Sequence, residues 1–371
     1  MLDRFDDFPI HQTPEPIRQP VSGDRNAYDR YFFNGYTADG EIYFAVAFGL
    51  YPNRRVMDAS LSLVRDGVQY SLHASRLAPD ARDEITVGPI SIEVVDPMRE
   101  LRVRVTENAH PLSADLVFRA RTPAVEEPRF QRHSGTRLVM DSTRFTQFGS
   151  WSGSLRLDGE QISLDPARVL GSRDRSWGIR GVGERETGAP GAERPQFYWL
   201  WAPLNFDDLC LHFGTNEDAT GTPWHQSACT VPLLGAGDSP VEAGGIERMA
   251  SVEHRVRWRP GTRRADSMQI VFHPRGGGTR TVELEPLLDF QMLGIGYLHP
   301  EWGHGVWKGE DALGFESWKL SELDPMQPQH LHVQALCRAH FEGRTGTGIL
   351  EQLVIGAHAP SGFEGLLDGA S

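Results

Sequence analysis

Along the whole chain, short runs of alternating or continuously apolar residues are separated by turn formers, and this pattern predicts strand after strand. Tyr28 to Thr37 and Glu41 to Tyr51 flank the turn Ala38-Asp39-Gly40, and Val56 to Arg65 and Val68 to Arg76 flank Asp66-Gly67; a Gly-containing turn between two such runs is a hairpin signal. Ile90 to Asp96 precedes Leu101 to Glu107, where Leu101, Val103 and Val105 alternate with Arg102, Arg104 and Thr106, as in a strand with one buried face. Ala114 to Thr122 continues the pattern. The Pro- and Glu-containing stretch Pro123 to Pro128 is a link, and strands follow near Leu138, Phe145 and Trp151. Asp158-Gly159 marks a further hairpin.

Beyond the linker-like T-G-A-P-G-A-E-R-P at Thr187 to Pro195, the pattern restarts. Q-F-Y-W-L-W-A-P, from Gln196 to Pro203, is apolar on both faces of an extended chain, which suits a strand buried on both sides or lining a pocket. Leu209 to Gly214, Ser251 to Trp258, Ser267 to His273, Gly314 to Leu320, Leu331 to Glu342 and Thr347 to His358 complete the set, and Leu284 to Leu293 reads as extended or as a short helix. The reading is all-β with few helices, divided into residues 1–187 and 188–371. Residues 1 to about 27, rich in Pro, Asp and Gln, lead in as an extended arm.

One stretch stands out from this background: G-S-R-D-R-S-W-G-I-R, from Gly171 to Arg180. If it is extended, Asp174, Ser176 and Arg180 share one face, and Arg173, Arg175 and Trp177 share the other. Asp174 among these arginines is either a general acid or cation-stabilising carboxylate, or one member of an ion-pair network that pins the strand. Trp177, Trp199 and Trp201 form either an aromatic wall for a flat apolar ligand or a cation, or ordinary core. Tyr198 adds a hydroxyl that needs a partner when buried.

A second dense stretch, Gly294 to Lys308, offers His299, Trp302 and His304 to a pocket as a loop. The spacing of His299, Glu301 and His304 does not fit the helical H-E-x-x-H pattern, and Pro300 and Gly303 oppose a helix, so no metal is expected. His330 and His332 read as a satisfied surface pair. Glu351, in the apolar run around Leu350, Leu353 and Ile355, is either functional inside a barrel or paired with an arginine. Gly276 to Gly278 lacks the lysine and helix of a phosphate loop, and Ser150 to Ser154 is no nucleophile elbow.

Composition narrows the classes. The 371 residues carry a net charge of −13, which opposes nucleic acid or an anionic membrane as the main partner. The 39 Gly and 25 Pro suit a turn-rich β protein. Three widely spaced cysteines, Cys210, Cys229 and Cys337, form no framework, and the N-terminus lacks a signal-peptide apolar core, so a cytoplasmic protein with buried thiols is expected. No apolar run approaches a membrane span.

The Gly171–Arg180 stretch resembles the G-x-R-D-x-S-W-G-x-R signature of the tandem lipocalin-like (calycin-type) proteins, which include the carotenoid 1,2-hydratases (hydroxyneurosporene synthases) and many bacterial relatives. W-S-G-S-L-R-L-D-G at Trp151 to Gly159, G-Y-L-H-P-E-W-G-H-G and E-Q-L-V-I-G-A-H-A-P-S-G-F extend the resemblance over most of the chain. It implies two lipocalin-like antiparallel β-barrels or strongly curved sheets in tandem, with an apolar binding site near their junction. It further implies cofactor-free chemistry on a hydrophobic isoprenoid, steroid or polyketide-like substrate: protonation of an alkene followed by water capture, cyclisation or isomerisation. On that pattern Asp174 is the acid and Trp177 the cation stabiliser. Arg173 and Arg180 then set the acid, and Tyr198, Trp199, Trp201, His299, Trp302, His304 and Glu351 form the pocket. Arg175 stands where the hydratases tend to have His. The alternative from another class is a non-catalytic carrier of a lipophilic small molecule.

Overall fold

A computed structural model describes residues 2–184, 195–242 and 244–371. The linker reading falls almost wholly outside these residues. The described chain contains no α-helix, only strands and short 3-10 turns, and therefore no helix able to cross a membrane. The stretch left open between strand and helix resolves into the strand Arg280–Gln291 followed by a 3-10 turn, Met292–Ile295.

The strands build two units. The second is a closed eight-stranded antiparallel barrel, running from Phe197–Asn205 through to Arg344–Ile355, which pairs back onto the first. The other is one strongly curved, nearly closed sheet. At its centre the strand Val169–Arg180 lies between Ala27–Thr37 and Arg137–Leu157. Phe33, Val46, Leu61, Leu72, Val103, Leu116 and Trp151, drawn from both arms of the sheet, meet in one core. The three separate strands expected near Leu138, Phe145 and Trp151 are a single 21-residue strand. Pro223–Pro232 is a strand that the pattern did not announce. Asp311–Lys319, late in the chain, leaves the barrel and hydrogen-bonds to Val68–Leu77 at the edge of the first sheet.

Local chemistry explains the turns. Asp66-Gly67 and Asp158-Gly159 have positive φ at both central residues (51° and 74°, 50° and 84°), as a two-residue hairpin of right-handed twist requires.

The continuous apolarity of Tyr43–Tyr51 has a similarly direct cause. Phe44, Val46 and Phe48 enter the core of the curved sheet, while Tyr43, Ala45 and Ala47 pack with Phe32, Trp199, Trp201, Phe290, Leu336 and Ile349 of a second apolar layer. That layer joins the two units. Q-F-Y-W-L-W-A-P is divided in the same way: Tyr198, Leu200 and Ala202 point into the barrel, and Trp199 and Trp201 point out of it toward the curved sheet.

Three glycines, Gly35, Gly171 and Gly149, stand in register across the three central strands. The rings of Phe44, Trp151 and Phe118 lie against them, and a Cβ on Gly171 would strike Asn34 O and the Trp151 indole. Gly171→Ala is therefore expected to lower stability by about 1–3 kcal/mol, read as a lower denaturant midpoint at unchanged m-value.

Candidate functional site

Between the two units lies a cavity of about 760 Å3, with Phe32, Phe130, Met140, Trp199 and Leu353 among its apolar walls. That is large enough for a drug-sized or larger apolar molecule. Strand parity sets its polar floor. Asp174 is registered with Phe32 and Thr146, and Ser176 with Arg30 and Arg144, so these side chains share the face turned to the cavity. Asp174, Ser176, Arg180, Arg30 and Arg144 all line it. Gly178, at φ 134°, lies between Ser176 and Arg180 without breaking the register of the strand with either neighbour.

Asp174 accepts no hydrogen bond from any described residue, although its carboxyl reaches the cavity. Burial pushes that carboxyl up to about 6, against the pull of Arg144 and Arg30, while Glu351 and Glu127 push in the same direction as burial. Glu351 is held in the opposite state. Burial opposes its charge, but hydrogen bonds from His332 Nε2 (2.8 Å), Gln334 Nε2 (2.6 Å) and Trp199 Nε1 (2.9 Å) outweigh burial and keep it below the ordinary glutamate range. The cavity thus holds two carboxyl groups whose environments drive them apart, a pattern typical of acid–base division of labour.

Arg144 is fixed by Glu127 through two hydrogen bonds, Nε–Oε1 at 2.8 Å and Nη2–Oε2 at 2.5 Å. Its guanidinium lies 4.7 Å from the Trp199 ring centroid, 4.9 Å from Phe130 and 5.4 Å from Trp201. The faces of the aromatic wall are thus already occupied by a protein cation.

The loop after the Met292–Ile295 turn closes another side. His304 Nε2 donates to Ile295 O (2.8 Å), leaving Nδ1 to accept from Arg30 (3.2 Å) and Arg180 (3.3 Å). Burial, with those two arginines, pushes His304 well below its ordinary value, so the ring is neutral. Asp58 anchors the loop by accepting from Gly305 N (2.7 Å), and its carboxyl is likewise raised to about 6 by burial.

The structure separates the residues singled out in the sequence. Asp174, Arg180, Trp199, His299, His304 and Glu351 line the cavity. Trp177 does not: it is on the opposite face of its strand, 42% exposed and edge-on to Phe145. Arg173 is also on that face, where its Nε donates to Gln147 Oε1 (2.9 Å) and its guanidinium lies over Phe145 and Phe118. Burial and neighbouring Arg175 lower its pKa to about 10. Arg175 itself pairs with Asp29 and stacks on Tyr31. Tyr198 is inside the barrel, bonded to His254. Trp201 is sealed in the layer between the units.

Glu351 lies on the outside of the barrel, facing the curved sheet, and its partners are not arginines. His332 is buried beside the cavity rather than on the surface, and His330 is buried in a 3-10 turn. The groups that surround Asp174, namely Arg30 and Arg144, carried no motif. Their one signal was a charge inside an otherwise strand-forming run.

Trp302 stacks on His73 (centroids 5.5 Å apart), in a trio of His73, His299 and Glu316 whose ligand atoms lie within 4.8 Å of one another. The trio does not fit a metal ion. The backbone N–H groups of Glu301 and Trp302 donate to His299 Nδ1 at 3.0 and 2.9 Å, so the ring proton is on Nε2, where it donates to Glu316 at 2.7 Å. A metal-binding imidazole instead donates through its other nitrogen. The trio braces the loop against the edge strand. The three cysteines are buried and free.

Residues 2–364 match the model of a family described as a family of unknown function, DUF8625. No curated protein sequence matches the chain. Solved structures share the fold. An AttH-like protein of Nitrosomonas europaea superposes with a TM-score of 0.53 at 16% identity, over 88% of this chain and 92% of the other. Kievitone hydratase of Nectria haematococca gives 0.51 at 14%, over 88% of each chain. CghA with Sch210972 gives 0.53 at 11%, over 89% of each. At these identities the likeness is one of fold.

Proposed function

The chain belongs to the family of unknown function DUF8625, and for this member we propose cofactor-independent acid catalysis on an apolar small molecule, of the hydratase, cyclase or isomerase type. The observation that carries the proposal is Asp174: a carboxyl turned into an apolar-walled cavity, free of hydrogen bonds from the described residues, and raised to about 6. A general acid works best when its pKa lies near the working pH. The signature resemblance to the carotenoid 1,2-hydratase group, and a fold shared with kievitone hydratase, support the same reading.

In this reading Asp174 gives its proton to a carbon of a substrate double bond, and the electron pair of that bond forms the new C–H bond. The cation left on the neighbouring carbon adds water or loses an adjacent proton, either at once or after a second double bond has attacked it and moved the cation to a new carbon. The proton shed by the added water or by the adjacent carbon returns to Asp174. Glu351, kept ionised, supplies the negative charge that favours the cation. Trp177 has no part in this, because it does not reach the cavity. Arg144 and Arg30, rather than Arg173, set the acid.

The test is incubation with apolar extracts in D2O, read by mass spectrometry. Wild-type protein should yield a product carrying one carbon-bound deuterium, as an adduct of water or an isomer. Asp174→Asn should reduce that yield by at least about 100-fold while still retaining ligand. Retention of ligand without any product from the wild-type would favour the carrier alternative.

A further inference from the structure

We infer that the ligand of this cavity carries an anionic head, a carboxylate or an ionised enol or phenol, seated on Arg30 and Arg180. The inference rests on the cavity being the ligand site proposed above, and it adds the chemical class of what binds there.

Arg30 is only 2% exposed, and Arg180 is half-buried beside it. Neither forms an ion pair with a carboxylate among the described residues. Burying a cation without a counter-ion is strongly disfavoured, and proteins ordinarily pair such groups. This chain follows that rule elsewhere: Arg144 holds Glu127, and buried Arg263 holds Asp368. Arg173, Arg121 and Arg132 pair with no carboxylate among the described residues either, but their donors are spent within the protein. Arg173 is sealed from the cavity by Gln147 and two aromatic rings, Arg121 donates to Asn205 Oδ1 and Phe206 O, and Arg132 donates to Gln196 O and lies over Phe197 and Trp224.

The two guanidinium groups converge on one neutral acceptor. Both reach His304 Nδ1, and both lie over the Tyr297 ring, 5.2 and 5.6 Å from its centroid. Arg30 also donates to the Tyr297 hydroxyl (3.2 Å). Ten N–H donors are available on two guanidinium groups, whereas the imidazole and the phenol supply a few lone pairs and no charge. The nearby acids do not take up these donors: Asp58 and Asp174 attract Arg30 only through their charge, Asp58 being hydrogen-bonded to Gly305 N and Tyr51 and Asp174 making no hydrogen bond to either arginine. Two like charges side by side, facing an apolar cavity with unspent donors, form a receptor for one oxyanion.

Such a head would also act on the acid. Arg30 is one of the two cations that draw Asp174 toward ionisation. An anion seated on Arg30 cancels that pull, so binding itself would hold Asp174 protonated and ready to donate.

The experiment uses cis-parinaric acid and its methyl ester, fluorescent probes with the same apolar body, titrated into the whole protein at pH 8. The expected result is that wild-type binds the acid at least about tenfold more tightly than the ester. Arg180→Gln should bring the acid to the ester's affinity and leave the ester unchanged, and Arg180→Lys should keep part of the preference. Equal binding of acid and ester by wild-type, a comparison that needs no variant, overturns the anionic head and leaves the apolar site standing. Binding of neither probe overturns the apolar-ligand reading, and the anionic head with it.

Discussion

Asp174→Asn is expected to raise the melting temperature at pH 7.5 while abolishing turnover. An unfolded aspartate titrates near 3.8, whereas burial lifts this one to about 6. Between those values the folded state binds the proton more tightly than the unfolded state. Stability therefore falls as pH rises through this window, and above pH 6 the whole cost of the charge is present. The two pKa values bound that cost at about 3 kcal/mol; exposure to the cavity reduces it to about 1–2 kcal/mol. Asparagine resembles the protonated carboxyl in shape and carries no charge. The two melting curves should nearly coincide below pH 4, separate as pH rises through the window between the two pKa values, and run parallel from about pH 7 upward, the variant being the more stable. An Asp174 that pinned its strand through ion pairs would give the opposite result, with the variant less stable and the gap closing in acid. A catalytic group that costs stability is the expected signature of a functional site.

The local elements were legible because they depend on near neighbours. The two Asp-Gly hairpins and the half-buried strand of Leu101, Val103 and Val105 follow from φ preference and period-two alternation, and the structure has them where the pattern puts them. What could not be read is contact at long range. Nothing in Asp311–Lys319 says that its partner is Val68–Leu77, more than two hundred residues earlier, rather than a barrel strand.

The site divides on the same principle. Parity alone put Asp174, Ser176 and Arg180 on one face and Trp177 on the other, so the signature already contradicted a shared role for Asp174 and Trp177. Arg30 and Arg144 were hidden because alternation gives a residue's face but not what that face meets. Both point into the cavity only because the barrel packs there. Glu127 was read as part of a link, Pro123 to Pro128; its backbone N–H donates to Arg144 O, and its side chain is fully buried.

Glu127→Gln is the substitution with the largest expected cost. Burial opposes the charge of Glu127, yet Arg144, His212 and His225 hold it far below the ordinary glutamate range. Both oxygens are occupied, Oε1 by Arg144 Nε and the Thr146 hydroxyl (2.8 Å each) and Oε2 by Arg144 Nη2. The amide would leave the Arg144 guanidinium among Trp199, Phe130 and Trp201 without a counter-ion, and breaking a buried pair in this way costs about 3–5 kcal/mol. That corresponds to a fall in melting temperature on the order of 10 °C. Here the linkage runs opposite to that of Asp174. A depressed carboxylate contributes its full stability above its unfolded value of about 4.5 and loses it only as pH falls toward the folded value. The wild-type advantage should therefore be flat from pH 5 to 8 and shrink in stronger acid. A second readout separates structure from chemistry. The charge of Glu127 helps to raise Asp174, so its removal should shift the pH limit of turnover to lower pH in whatever folded Glu127→Gln protein remains. Glu127→Asp, which keeps the charge, should leave that limit in place even where its shorter side chain lowers the melting temperature. A pH limit identical in wild-type and Glu127→Gln would mean that the Glu127–Arg144 pair holds the two units together and does nothing to the acid.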